Sequence, residues 1–136
     1  LGSSATEADG QLVEQILSAV GTAHQVPEEL LDGVTGLSGS GPAFVYTIIE
    51  ALSQGGEQVG LPAELAAALA VQTTVGAANM VLDTGESPAT LRSRVTSPGG
   101  TTLAGLEALE KNGLTTALIE AVCAATARSN ELGKLT

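Results

Sequence analysis

The stretch AELAAALAVQTTVGAANMVL, from Ala63 to Leu82, constrains this chain more than any other. It is long enough for five turns of helix, and its apolar residues fall on every side, with Gln72, Thr73, Thr74 and Asn79 dispersed among them. A helix that is apolar all round has to be covered all round. Lipid is one cover at this length. Alanine is only weakly lipophilic, however, and the flanks Glu64 and Asp83 are acidic where a membrane span favours basic residues. Protein is therefore the expected cover, without a membrane. In a chain of 136 residues, one domain's worth, that cover is a second subunit. Composition agrees: 43% of residues are hydrophobic but only 1% aromatic, so each buried side chain removes little area and a lone copy is marginal.

The rest of the chain reads as an all-α fold of six to seven helices. Leu12, Val13, Ile16 and Val20 sit at helical spacing over Asp9–Val20, which Gly21 ends. Ala23–Val26 reads as extended, and Pro27 opens the next helix with Glu28 and Glu29 in its first turn. In GLSGSGPAF the glycines predict a tight break and close helix packing. Ser40 is the candidate cap, and a stripe of Phe44, Ile48 and Leu52 follows. Ser87 is placed to cap a short helix ending at Arg94. A helix from Gly100 to Lys111 carries a potential Glu107–Lys111 pair, and the last helix, Thr115–Leu132, aligns Leu118, Val122 and Ala125. Residues 1–8 are small and polar, as in a linker from a preceding domain, with 9–136 the helical domain. Leu1–Gly10 has neither a basic start nor an apolar stretch, so no leader is expected.

The chain has a net charge of −10 and only 5 Lys and Arg residues, which argues against nucleic-acid binding. The two aromatics, Phe44 and Tyr46, offer no stacking platform for bases. No Lys or Arg precedes Arg92, whereas eleven acidic residues do; from Arg92 onward five bases meet four acids. Any anionic ligand is expected in that second part. The single cysteine, Cys123, allows no internal disulfide and suggests a reducing compartment. It reads as core, as does Tyr46, and His24 stands without partners for a metal.

That second part opens with RSRVTSPGGTTLAGLEALEKNG, Arg92–Gly113. A helix N-terminus carries free N–H groups and partial positive charge. Glycines before it let a ligand approach the backbone, and Ser97, Thr101 and Thr102 add hydroxyls that donate or accept. A carboxylate suits this site, with Arg92 and Arg94 offsetting the acidic field. The alternative is plain capping by Thr96 or Ser97, with the glycines shaping the turn; the residues leave both open.

VTGLSGSGPAF, GLPAELAAALAVQTTVGAA and VTSPGGTTLAGLEALE, in this order, resemble the C-terminal domain of the pyrroline-5-carboxylate reductase family. That domain has the fold of the C-terminal domains of 6-phosphogluconate-dehydrogenase-like reductases. The resemblance implies a cytoplasmic enzyme of proline biosynthesis that reduces 1-pyrroline-5-carboxylate to L-proline. It implies NADPH or NADH held mainly by an N-terminal Rossmann domain, whose last segment Leu1–Glu7 resembles, so the isolated domain is expected to be inactive. It also implies a homodimer, with rings of dimers in some relatives, and no metal. By the same resemblance Gly99 belongs to the substrate-binding loop, the backbone N–H groups of Gly100 and Thr101, with Ser97, hold the substrate carboxylate, and the Thr102 hydroxyl hydrogen-bonds the ring nitrogen as the catalytic residue. Glu28 lies near the proline site, although a first-turn helix acid explains it as well. Arg94 stands at a position that touches the cofactor in some relatives, which usually carry an uncharged amide there. The alternative, a self-associating helical module without catalysis, explains the alanine-rich helices but not the loop.

Overall fold

Threonine and aspartate set the first helix. Thr6 Oγ1 accepts the Asp9 N–H at 3.3 Å, while the Asp9 carboxylate accepts the Thr6 N–H at 2.8 Å and the Thr6 hydroxyl at 2.7 Å. This reciprocal box starts α1 at Glu7, two residues before the expected start, and α1 runs to Leu17. The computed structural model describes residues 2 and 4–134, so Leu1 and Ser3 of the leading segment and the last two residues lie outside the described residues. The fold is all-α, with no strand among the described residues.

Ala23–Val26, expected to be extended, lies in a segment without helix or strand, Thr22–Pro27, which makes no backbone hydrogen bond until Pro27 O accepts from Leu30 N. Pro27 then starts a 3-10 turn, Glu28–Leu30, which passes into α2, Leu31–Val34. The expected break at GLSGSG is absent. The chain stays helical through a π turn, Thr35–Gly39, and continues as α3, Gly41–Gln58. Ser40 stands at the junction in right-handed helical geometry, and its side chain makes no capping bond. The π turn presses Gly36 onto the last helix, α7 (Leu114–Gly133), where a Cβ on Gly36 would lie 2.9 Å from both Thr126 N and Val122 O. Close packing by glycine is therefore correct, but here it accompanies a widened turn of helix.

α3 and α4 (Ala63–Thr84) form an antiparallel hairpin over Gly60, at φ 96°, and Pro62. A Cβ on Gly56 would come within 3.0 Å of Ala66 Cβ, and Ala66 and Ala70 are the core of the chain among its described residues. Only that side of α4 is covered; Leu65, Leu69, Val75, Met80 and Leu82 remain exposed. Gly85, at φ 65°, caps α4 in the left-handed conformation with its N–H on Val81 O. α5 (Pro88–Arg94) follows, capped by Ser87 Oγ on Thr90 N at 3.1 Å as expected. α6 (Thr101–Lys111) ends at Asn112, and Gly113, at φ 74°, turns the chain into α7. The Glu107–Lys111 ion pair does not form; the described ion pairs are Arg94–Glu86 and Arg128–Glu131.

α1 packs on no other helix, while α7 gathers α2, the π turn, α3 and α6. The accessible surface is 10416 Å², against about 6,500 Å² for a compact monomer of this mass. Tyr46, expected to be packed, is 69% exposed, and Cys123 is likewise exposed instead of core.

Candidate functional site

The turn before α6 is built by Pro98 and Gly99. Proline fixes the first central position and Gly99 supplies φ 68° at the second, so Ser97 O accepts the Gly100 N–H at 3.0 Å. That bond corrects one expectation: the Gly100 amide is already engaged within the turn. It also settles the cap. Gly100 itself is the N-cap, extended at φ −81° and ψ 168°, with no side-chain capping bond, so neither Thr96 nor Ser97 serves. The Thr96 hydroxyl instead donates back to Arg92 O at 2.7 Å.

Capping without a side chain leaves the N-terminus of α6 open. The N–H groups of Thr101, Thr102 and Leu103 carry no hydrogen bond within the described residues. The hydroxyls of Thr47, Thr74, Thr84, Thr96 and Thr126 donate to the carbonyl four residues earlier. Thr101 and Thr102, in the first turn, have no helical carbonyl behind them, and their hydroxyls and that of Ser97 are unbonded. Ser97, Gly99, Thr101 and Thr102 are exposed, and Gly100 is half-buried against Ser97, whose side-chain oxygen a Cβ at 100 would strike. A set of amides, hydroxyls and helix-end charge on an open edge can seat a small carboxylate.

The other expected residues lie apart. Arg94 turns back across α5 and forks onto Glu86, Nη1 to Oε1 at 2.8 Å and Nη2 to Oε2 at 2.6 Å. Its charge is thereby matched to a carboxylate and not offered to the turn. Glu28 is exposed and lines a cavity of about 410 Å³ together with His24 and with Val13 and Leu17 of α1, with no residue of Arg92–Thr102. A single copy therefore does not bring Glu28 to the loop. A larger groove of about 730 Å³ separates α2 from α7, lined by Glu29, Asp32, Cys123, Thr126 and Asn130 among others. No group of His, Cys, Asp or Glu side chains among the described residues is arranged to hold a metal. The described residues also offer no sheet crevice for a dinucleotide.

One structural residue escaped the sequence reading. Asp32 accepts Ser129 Oγ at 2.6 Å and Asn130 Nδ2 at 3.1 Å, tying α2, and with it the turn carrying Glu28, to α7. Nothing local announces this tie, since its partners lie 97 and 98 positions away.

Comparison with known proteins gives one consistent family. A profile described as "Pyrroline-5-carboxylate reductase dimerisation" matches residues 28–132. The chain is 52% identical over 134 residues to a pyrroline-5-carboxylate reductase of Arabidopsis thaliana, covering 98% of this chain and 49% of the relative. It is 56% identical over 119 residues to the same enzyme of Synechocystis, covering 88% and 45%. Among solved structures it resembles the Plasmodium falciparum pyrroline carboxylate reductase with NADP bound, at TM-score 0.90 and 36% identity, covering 97% of this chain and 53% of that one. The Coxiella burnetii pyrroline-5-carboxylate reductase is matched at TM-score 0.90 and 41% identity, covering 96% and 49%. The chain thus spans about half the length of these relatives.

Proposed function

Because the chain belongs to the pyrroline-5-carboxylate reductase dimerisation family, we propose that it is the substrate-seating and self-associating part of a reductase that converts 1-pyrroline-5-carboxylate to L-proline. The observation that carries this reading is the unbonded first turn of α6. The Thr101 and Thr102 amides, with Leu103 behind them and the Ser97 hydroxyl beside them, receive the substrate carboxylate; Gly100 serves by leaving room and not by donating. The Thr102 hydroxyl is the group for the ring nitrogen.

The protonated imine is already an electrophile, so this chain needs no nucleophile. Its residues fix the ring's orientation and hold its charge. NADPH or NADH supplies the hydride when bound. The residues present do not form a dinucleotide site, so the cofactor belongs to the part of the relatives' length that this chain does not span. The domain limit we propose lies near Pro27 and not at residue 8, because α1 packs on no other helix and the family match begins at residue 28. A second copy, and not lipid, covers α4, although α4 is long and apolar enough to cross a membrane. Homodimers that associate into rings, a cytoplasmic location, and the absence of metal and nucleic-acid partners complete the reading.

The test is Thr102→Ala in the full-length protein, assayed for NAD(P)H oxidation with 1-pyrroline-5-carboxylate. Loss of one transition-state hydrogen bond of about 1.4–2.7 kcal/mol lowers kcat/KM roughly 10–100-fold. Wild-type kinetics in that variant remove Thr102 from the reacting centre.

A further inference from the structure

The ion pair between Glu86 and Arg94 spans the whole of α5. The two terminal guanidinium nitrogens each engage one carboxylate oxygen, at 2.8 and 2.6 Å, in the fork geometry that makes arginine pairs directional. Glu86 sits directly after Gly85, the left-handed cap of α4, and its N–H donates to Thr84 Oγ1 at 3.2 Å, so its position follows α4. Arg94 is the last residue of α5 and stands three positions before Ser97. Otherwise α5 packs only on α4, and the turn Thr96–Gly100 is held by short-range bonds to Arg92, Ser93 and Ser97. Among the described residues the clasp is thus the one side-chain tie between the end of α5, from which the turn springs, and the segment that caps α4.

We propose that Glu86 and Arg94 are positioning residues: their clasp sets where the Ser97–Thr102 turn is presented, and thereby the affinity for the imino-acid substrate. This rests on the reading of that turn as the substrate seat. Arg94 acts through Glu86 and not by touching the cofactor.

The test uses the full-length protein with Glu86→Gln, Arg94→Gln, the double variant and Arg94→Lys. Exposed ion pairs have modest effects, so each Gln variant should raise the KM for the pyrroline carboxylate about 2–5-fold. The kcat and the KM for NAD(P)H should stay within twofold. The double variant should equal either single one, and Arg94→Lys should recover part of the loss. Raising the salt concentration should raise the substrate KM of the wild type by a larger factor than that of the Gln variants, which lack the screened pair. Amide exchange is measured alongside: Val95–Gly100 should exchange faster in every Gln variant while α7 is unchanged. A higher KM for NAD(P)H in Arg94→Gln alone, additive single effects, or unchanged kinetics in both overturn the proposal. If the wild type lacks reductase activity the substrate reading fails, and the exchange data still decide whether the clasp holds the turn.

Discussion

Gly36 offers the sharpest test of how the helices meet. It is buried where the π turn crosses α7, and a Cβ there would stand 2.9 Å from Thr126 N and 2.9 Å from Val122 O, as well as against Thr126 Oγ1. A threonine hydroxyl can rotate away; helical backbone cannot. Forcing a methyl group into such a contact costs about 1–3 kcal/mol, offset by roughly 1 kcal/mol for replacing glycine with alanine in a helix. Gly36→Ala should therefore destabilise by up to about 2 kcal/mol. Gly33, one turn earlier, is the control, since a Cβ there meets nothing within 4 Å. Gly33→Ala should instead stabilise by roughly 0.5–1 kcal/mol. Melting of the two full-length variants at one protein concentration should place Gly36→Ala below Gly33→Ala by roughly 1–12 °C, taking about 2–4 °C per kcal/mol. If Gly36→Ala melts with or above Gly33→Ala, the close crossing described here is wrong.

Asp32→Ala should destabilise by about 1.5–3 kcal/mol, because it removes a half-buried charged acceptor and leaves Ser129 and Asn130 without it; denaturant titration reads this, and a change below 0.5 kcal/mol would refute the tie. Gly100→Val should weaken substrate binding at least tenfold by calorimetry, since the added side chain strikes Ser97 and disturbs the turn; unchanged affinity would place the substrate elsewhere. The Asp9 carboxyl is held below its ordinary value by the Thr6 hydroxyl and then the Thr6 N–H. Its support of α1 is therefore complete above the ordinary aspartate value of about 3.9 and is lost as pH falls through the lowered folded value. Amide shifts of Glu7–Gly10 should report this fraying in acid and lose it in Thr6→Ala.

Much of the architecture could be read from single residues, because Pro62, Gly85, Ser87 with Pro88, and Asn112 with Gly113 each stop or start a helix by local chemistry. The readings that failed did so for different reasons, and one depends on a distant part of the chain. GLSGSG permits either a break or a wide turn, and the backbone of α7 decides between them. Ser97 has the chemistry of a cap, but Pro98 and Gly99 bend its carbonyl onto Gly100 first. The loop itself was legible because so many turn-forming and hydroxyl residues crowd into seven positions; which amides stay unbonded was not, since that depends on the φ of Gly99. Glu107 and Lys111 have suitable spacing, but the gain for an exposed pair is too small to hold two long side chains together. The apolar stripe of α1 is visible in sequence, but that no other helix of this chain covers it is not, because that depends on the tertiary arrangement.

The accessible area has a kinetic consequence. Because the helices touch through glycine and alanine, the larger aliphatic groups of α3 and α4 point outward, so a freshly made copy carries oily flanks until it meets another. Encounter thus becomes a stage of maturation, with a rate that grows with concentration. Dilute synthesis prolongs that exposure and favours capture by holdases.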